Sequence, residues 1–152
     1  GGLSNRLRYK NWDLSFLFQF TKQRNYNYHS YMSVPGTMNN QPQVVSDVWS
    51  VNNPNGYYMP YTTGVNATKN AAHTNFMRST AAVGDASLIR LKNIQLNYRL
   101  PLQNSVISEV MIYVQGQNVI IWTNYFGLDP EFVATGYLPP LRTWSIGTQI
   151  NF

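Results

Sequence analysis

The chain of 152 residues contains no cysteine, which removes disulfides, zinc-thiolate sites and thiol catalysis together. It is also poor in charge. Charged residues make up 11% against roughly 25% in an ordinary soluble domain, so something other than surface charge has to keep the chain dispersed. The 11 Lys and Arg outnumber the 6 Asp and Glu, for a net charge of +5. These cations stand singly or in pairs from Arg6 to Arg142, whereas a nucleic-acid footprint gathers them on one element; no nucleic-acid partner is expected. No stretch approaches the ~18 consecutive apolar residues of a membrane helix. The opening Gly1-Gly2-Leu3 has no basic n-region or apolar h-region, so any export address is expected upstream of it.

What the chain does have is aromatics, at 14% with 11 Tyr, among many Asn, Gln, Ser and Thr. That mixture suits strands with one apolar and one polar face. Period-two alternation is clearest from Trp12 to Phe20: Trp12, Leu14, Phe16, Phe18 and Phe20 share one face, while Asp13, Ser15 and Gln19 point the other way. A barrel strand tilted across a bilayer needs about 9–11 residues, and this segment has that length with aromatics at both ends, where interfacial girdles lie. Leu3, Leu7 and Tyr9 alternate just upstream, with only Lys10-Asn11 between the two strands, which implies a tight antiparallel hairpin. Downstream, Ile94, Leu96, Tyr98 and Leu100 alternate up to Pro101. A further strand is expected over about 109–121, its second half blurring into an apolar run. A last one over 142–152 carries Trp144, Ile146, Thr148, Ile150 and Phe152 on one side.

Connections between these five strands alternate short and long: Lys10-Asn11, then about 21–86, then about 101–108, then about 122–141. Short turns at one end and long loops at the other describe an outer-membrane β-barrel. The stretch 21–86 is rich in Asn, Tyr, Pro, Gly and Thr and is expected to be irregular loop with no helical domain. A soluble sandwich would have to bury the Trp-Phe-Phe-Phe stripe around so long an interruption. Five strands cannot close a cylinder, so the expected fold is all-β, an antiparallel transmembrane barrel fragment. Trp12, Leu14, Phe16, Phe18, Phe20, Ile94, Leu96, Tyr98, Trp144, Ile146 and Ile150 are then expected to meet lipid. Asp13, Gln19, Gln95, Asn97 and Gln115 would line the lumen or face a plug.

From about Val44 onward several signatures follow one another: Asp47-Val48-Trp49 with Asn53-Pro54; Asp85-Ala86-Ser87-Leu88-Ile89-Arg90-Leu91-Lys92-Asn93-Ile94-Gln95-Leu96-Asn97-Tyr98 with Leu100-Pro101; Gly116-Gln117-Asn118; and Tyr125-Phe126-Gly127-Leu128-Asp129-Pro130-Glu131. In that order, ahead of a terminal strand finishing on Phe152, they resemble the C-terminal part of the SusC/RagA family of TonB-linked outer-membrane transporters. The resemblance implies a wall of about 22 strands around a plugged lumen, of which these would be the last five. The plug and the TonB-contacting segment would belong to an N-terminal part absent from this chain. It also implies import of oligosaccharides or peptides, a SusD-like surface lipoprotein partner, and recognition of Phe152 by the barrel-assembly machinery. The chain departs from the family where Tyr58-Met59-Pro60 replaces a Tyr-Pro-Arg-like segment and Leu88-Ile89 the more usual Tyr-Leu, which leaves the cargo open. A passive structural, adhesive or secretion-complex barrel is the alternative.

No catalytic set emerges. Asp129 and Glu131 are the one close carboxylate pair, but Asp129-Pro130 initiates a turn, and with Asn124 the spacing is not that of a calcium loop. His29 and His73 stand alone and are expected to be solvated loop residues. Neither a nucleophile elbow nor a glycine-rich phosphate loop is present, so no enzyme, cofactor or metal is expected. Asn66-Ala67-Thr68 fits the three-residue glycosylation sequon. The remaining candidates for ligand contact are the loop aromatics Trp49, Tyr57, Tyr58, Tyr61, Trp122 and Tyr125, whose rings offer large area with a polar tip. Packing of loop on loop would use the same residues.

Overall fold

Alternating side chains draw the strands into one sheet. In a computed structural model describing residues 1–101, 107–133 and 138–152, β1 (Gly2–Tyr9), β2 (Trp12–Thr21), β5 (Leu88–Leu100), β6 (Glu109–Thr123) and β7 (Thr143–Asn151) pair antiparallel in the order β1-β2-β5-β6-β7. They belong to a unit of residues 1–23 and 86–152; residues 24–85 form a second unit. The links expected at 101–108 and 122–141 lie partly outside the described residues.

The register is what the alternation requires. Leu7, Leu14, Leu96, Val114 and Ile146 are successive cross-strand partners, and so are Tyr9, Trp12, Tyr98, Ile112 and Thr148. Residues directly opposite one another share a face, so a single apolar face runs across all the strands. The opposite face carries Arg8, Asp13, Asn97 and Tyr113, then Arg6, Ser15, Gln95, Gln115 and Ser145. Lys10, at φ 52°, closes the β1–β2 turn. At that end the Trp12 and Tyr98 rings lie 4.5 Å apart.

Two register shifts break the pattern, both at Lys92 of β5. Asn93 pairs with Gln117 and Leu91 with Ile120, so Asn118 and Val119 on β6 oppose Lys92 alone, the two-against-one count of a β-bulge. Asn118 takes φ 51°, a left-handed conformation that asparagine tolerates better than most residues. Against β2, Leu17 pairs with Asn93 and Phe18 with Leu91, so Lys92 is an extra residue and β5 changes phase beyond it: Ile89 and Leu91 join Phe20 and Phe18 on the apolar face, and Arg90 turns to the polar face beside Gln19. This change hides the first third of β5 from a simple period-two reading; in the second half of β6 the alternation is masked because Ile121, opposite Arg90 on the polar face, is itself apolar. Trp144 pairs with Gly116 and lies against it; a Cβ there would come within 2.8 Å of the indole.

Residues 24–85 are not the irregular loop expected. They hold a two-stranded ribbon of β3 (Arg24–Tyr26) and β4 (Val83–Asp85), 3-10 turns at Tyr28–Tyr31, Gln43–Ser46 and Thr80–Ala82, and an α-helix, α1 (Ala67–Met77). The sequon asparagine, Asn66, is the helix N-cap, accepting from the Lys69 amide at 3.0 Å. Met32, Val45, Val48 and Tyr58 form a small core with Tyr28 and Phe76 packed on it.

Candidate functional site

Both histidines expected to be solvated are buried. His29 sits 2.9 Å from the Tyr58 hydroxyl through Nε2 and 3.0 Å from the Ala81 carbonyl through Nδ1. A carbonyl only accepts, so Nδ1 carries the proton and Nε2 accepts from Tyr58. His73 Nε2 donates to the Met32 carbonyl at 2.7 Å. These rings serve as polar pins beside the small core, and Tyr57, Tyr58 and Phe76 all stand within 6.0 Å of His29, centroid to centroid. The sequence signal for them was weak, since two lone histidines carry no spacing pattern.

The candidate ligand aromatics separate by exposure. Tyr58 is buried in that core, and burial, helped by Tyr57 and Asp47, pushes its hydroxyl above its ordinary value. Trp49, Tyr57 and Tyr61 are each about half exposed. Tyr57 and Tyr58 border a shallow cleft with Gln43, Val44, Ser46 and Asp47. Its floor is held by backbone pairing of Trp49 with Tyr58 (2.8 Å) and by Asp47, whose oxygens accept from Asn53 Nδ2 (2.9 Å) and the Tyr57 amide (3.3 Å). Trp122 is not in a loop. It is a residue of β6 on the apolar face, opposite Ile89 and 6.3 Å from the Phe18 ring. Tyr125 is buried, and burial raises its hydroxyl pKa, with the Asp129 charge adding to the effect.

On the sheet the polar face is organised by ion pairs. Asp13, 3% exposed, accepts two hydrogen bonds from Arg6 Nε (2.8 and 3.0 Å), one from Arg6 Nη2 (2.5 Å) and one from Arg8 Nε (2.9 Å). At the other end Arg90, 4% exposed, donates through Nη2 to both oxygens of Asp129 at 2.8 and 2.7 Å and lies 3.3 Å from Glu131. Charge-assisted pairs of this geometry are strong, and removing one partner of a buried pair costs about 3–5 kcal/mol. The Asp129/Glu131 pair is therefore a structural anchor, with Asp129 also accepting from the Glu131 amide at 2.9 Å.

Among the described residues, the apolar face has no such ion pairs. Tyr9, Trp12, Ile89, Trp122, Trp144, Ile146 and Ile150 are all substantially exposed, forming a continuous greasy surface far beyond the scattered apolar residues of a soluble domain. Leu14, Phe16 and Phe18 are half-buried among their neighbours on the same face.

No protein-family model matches the chain. Across 99% of its length it is 27% identical to TonB-dependent receptor P3 and 28% identical to TonB-dependent receptor P26 of Formosa agariphila, and it spans 16% of the length of each. It superposes over its whole length on one chain of the RagAB peptide importer in the closed-closed state, with a TM-score of 0.75 at 24% identity and 17% of that chain covered. On the open-open state the TM-score is 0.67 at 23% identity, again over 17% of that chain. The resemblance to TonB-dependent receptors holds along the whole chain, and the antiparallel barrel-wall fold is borne out. These relatives and structures are named as receptors and importers.

Proposed function

We propose that this chain is a stretch of the barrel wall of a TonB-dependent outer-membrane importer. The observation that carries the reading is a sheet with one face apolar and largely uncovered and the other lined by amides and paired charges. In lipid every backbone polar group must be satisfied within the protein, and a closed strand cylinder is one of two ways to do so. Trp12, Leu14, Phe16, Phe18, Phe20, Ile94, Leu96, Tyr98, Trp144, Ile146 and Ile150 meet hydrocarbon; Asp13, Gln95, Asn97 and Gln115 face the lumen. Residues 24–85 and the connection between β6 and β7 lie on the cell-surface side. There Trp49, Tyr57 and Tyr61 offer exposed rings to an oligosaccharide or peptide cargo, and a SusD-like lipoprotein covers the mouth. TonB acts through a plug elsewhere in the full-length protein, and Phe152 is read by the barrel-assembly machinery.

Energised import separates this function from that of a passive or adhesive barrel. Cells carrying the full-length protein take up cargo while the inner-membrane proton gradient stands and stop when it is collapsed or TonB is deleted. Uptake that continues at the same rate after either treatment refutes import by this route.

A further inference from the structure

The Arg90 anchor holds down a segment whose course is unusual for a cell-surface loop. After β6 the chain turns back over the polar face of the sheet. Thr123 Oγ1 donates to the Ser87 carbonyl at 2.7 Å and accepts from the Tyr125 amide at 3.1 Å. Asp129 then sits on Arg90 of β5, Glu131 Oε1 accepts from Gln19 Nε2 of β2 at 2.7 Å, and Gln23 Nε2 donates to the Pro130 carbonyl at 3.2 Å. Residues 124–132 thus travel from β6 past β5 to β2, two strand spacings or roughly 10 Å. Every tether falls on the polar side, since Gln19 and Arg90 are direct cross-strand partners on that face.

We propose that residues 124–132 form a fixed strap on the lumen side of the wall, latched by Arg90 and Asp129, which narrows the passage at that end and limits the size of solute that can pass. The proposal rests on the barrel-wall reading, because only in a closed wall is the polar face the inner one. Three observations argue for a fixed element. Both latch residues are almost fully buried, the Pro130 side chain is completely buried, and the Tyr125 ring packs back against Gly127, where a Cβ would come within 2.3 Å of it. A layer packed face to face on a sheet stands about 10 Å from it, so the strap takes that depth out of the lumen. Between its tethers it presents Phe126 and Leu128, the latter 71% exposed, an apolar edge on an otherwise polar lining.

The test places a cysteine at Asn93, an exposed position on the polar face of β5 on the far side of the bulge from Arg90. In cells carrying the full-length protein, N93C is treated with N-ethylmaleimide or with a bulky polyethylene-glycol maleimide. Native strap should admit the small reagent and hinder the bulky one. Asp129→Asn should speed bulky labelling by an order of magnitude or more while leaving the small reagent little changed. Glu131→Ala removes only the part-exposed tether to Gln19 and covers the case in which D129N fails to assemble; it should give a smaller rise in the same direction. Bulky-reagent rates that are the same in the parent and in both variants overturn the strap. Should N-ethylmaleimide fail at N93C yet label Ile146→Cys, the barrel-wall reading itself is refuted, and the strap with it.

Discussion

Ile146→Arg tests the medium that the apolar face meets. Ile146 is 77% exposed and sits in the row of Val114, Leu96, Leu14 and Leu7. Because the protein barely covers it, replacing it removes little packing, and the cost comes from what lies outside. An arginine in hydrocarbon costs about 2–4 kcal/mol near the midplane and about 0–1 near the interfaces; one in water stays within about 0.5 kcal/mol of neutral. Ile150 lies on the same face four residues further along β7, roughly 14 Å along the strand at ~3.4 Å per residue, or about 10 Å of depth at a tilt of ~40°. The expected series is therefore about 2–4 kcal/mol for Ile146→Arg, about 0–1 for Ile150→Arg, and within about 0.5 for Gln149→Arg on the polar face. The larger cost lowers the folded-to-unfolded ratio roughly 30- to 1,000-fold. Guanidinium titration of the full-length protein in lipid vesicles reads this as a shift in midpoint at constant slope. Equal, small shifts for Ile146→Arg and Gln149→Arg would refute the reasoning.

Other expectations concern packing, titration and assembly. Tyr58→Phe removes the hydroxyl from which His29 Nε2 accepts and should weaken residues 24–85 by about 1–3 kcal/mol, seen as faster amide exchange there and not in the sheet. Tyr58 is held above its ordinary value of 10.0 by burial. The folded form therefore keeps a proton that the unfolded chain releases. The stabilisation is fully present below about pH 10 and lost as pH rises towards the raised folded value, so protease resistance of this unit should fall over that window and stay flat below it. Gly116→Val should force the Trp144 indole off the sheet, costing about 1–3 kcal/mol by overpacking and shifting tryptophan emission in single-tryptophan variants. Phe152→Ala should reduce the amount of protein inserted in the outer membrane without changing uptake per inserted molecule; a normal inserted amount would count against a role in assembly.

The sheet was legible because alternation records which face a residue takes. Leu14, Leu96 and Ile146 were placed on one face from spacing alone, and the register pairs them through Val114. Where the pairing skips, the pattern misled: the extra residue Lys92 in β5, between the partners of Leu17 and Phe18, put Arg90 and Ile89 on faces that no uninterrupted period two would assign. Helix α1 went unrecognised because Ala-Thr-Lys-Asn-Ala-Ala-His-Thr-Asn-Phe-Met has no continuous apolar stripe; its one local signal was the Asn66 cap, which looked like a sequon. The burial of His29 and His73, and the course of 124–132 across the polar face, depend on contacts between residues far apart in sequence, Gln19 with Glu131 and His73 with Met32 among them. Single-residue patterns cannot record those. Among the loop aromatics, sequence supplied the candidates, and only the packing separated exposed Trp49, Tyr57 and Tyr61 from buried Tyr58 and Tyr125.

The most direct test is a nitroxide scan along β7 from Trp144 to Ile150 in the full-length protein reconstituted in lipid, reading collision with oxygen, which partitions into hydrocarbon, against collision with a water-soluble nickel chelate. The barrel-wall account predicts strict alternation, with oxygen favoured at Trp144, Ile146, Thr148 and Ile150 and the chelate at Ser145, Gly147 and Gln149. Chelate access at Ile146 and Trp144 equal to that at Ser145 would contradict it.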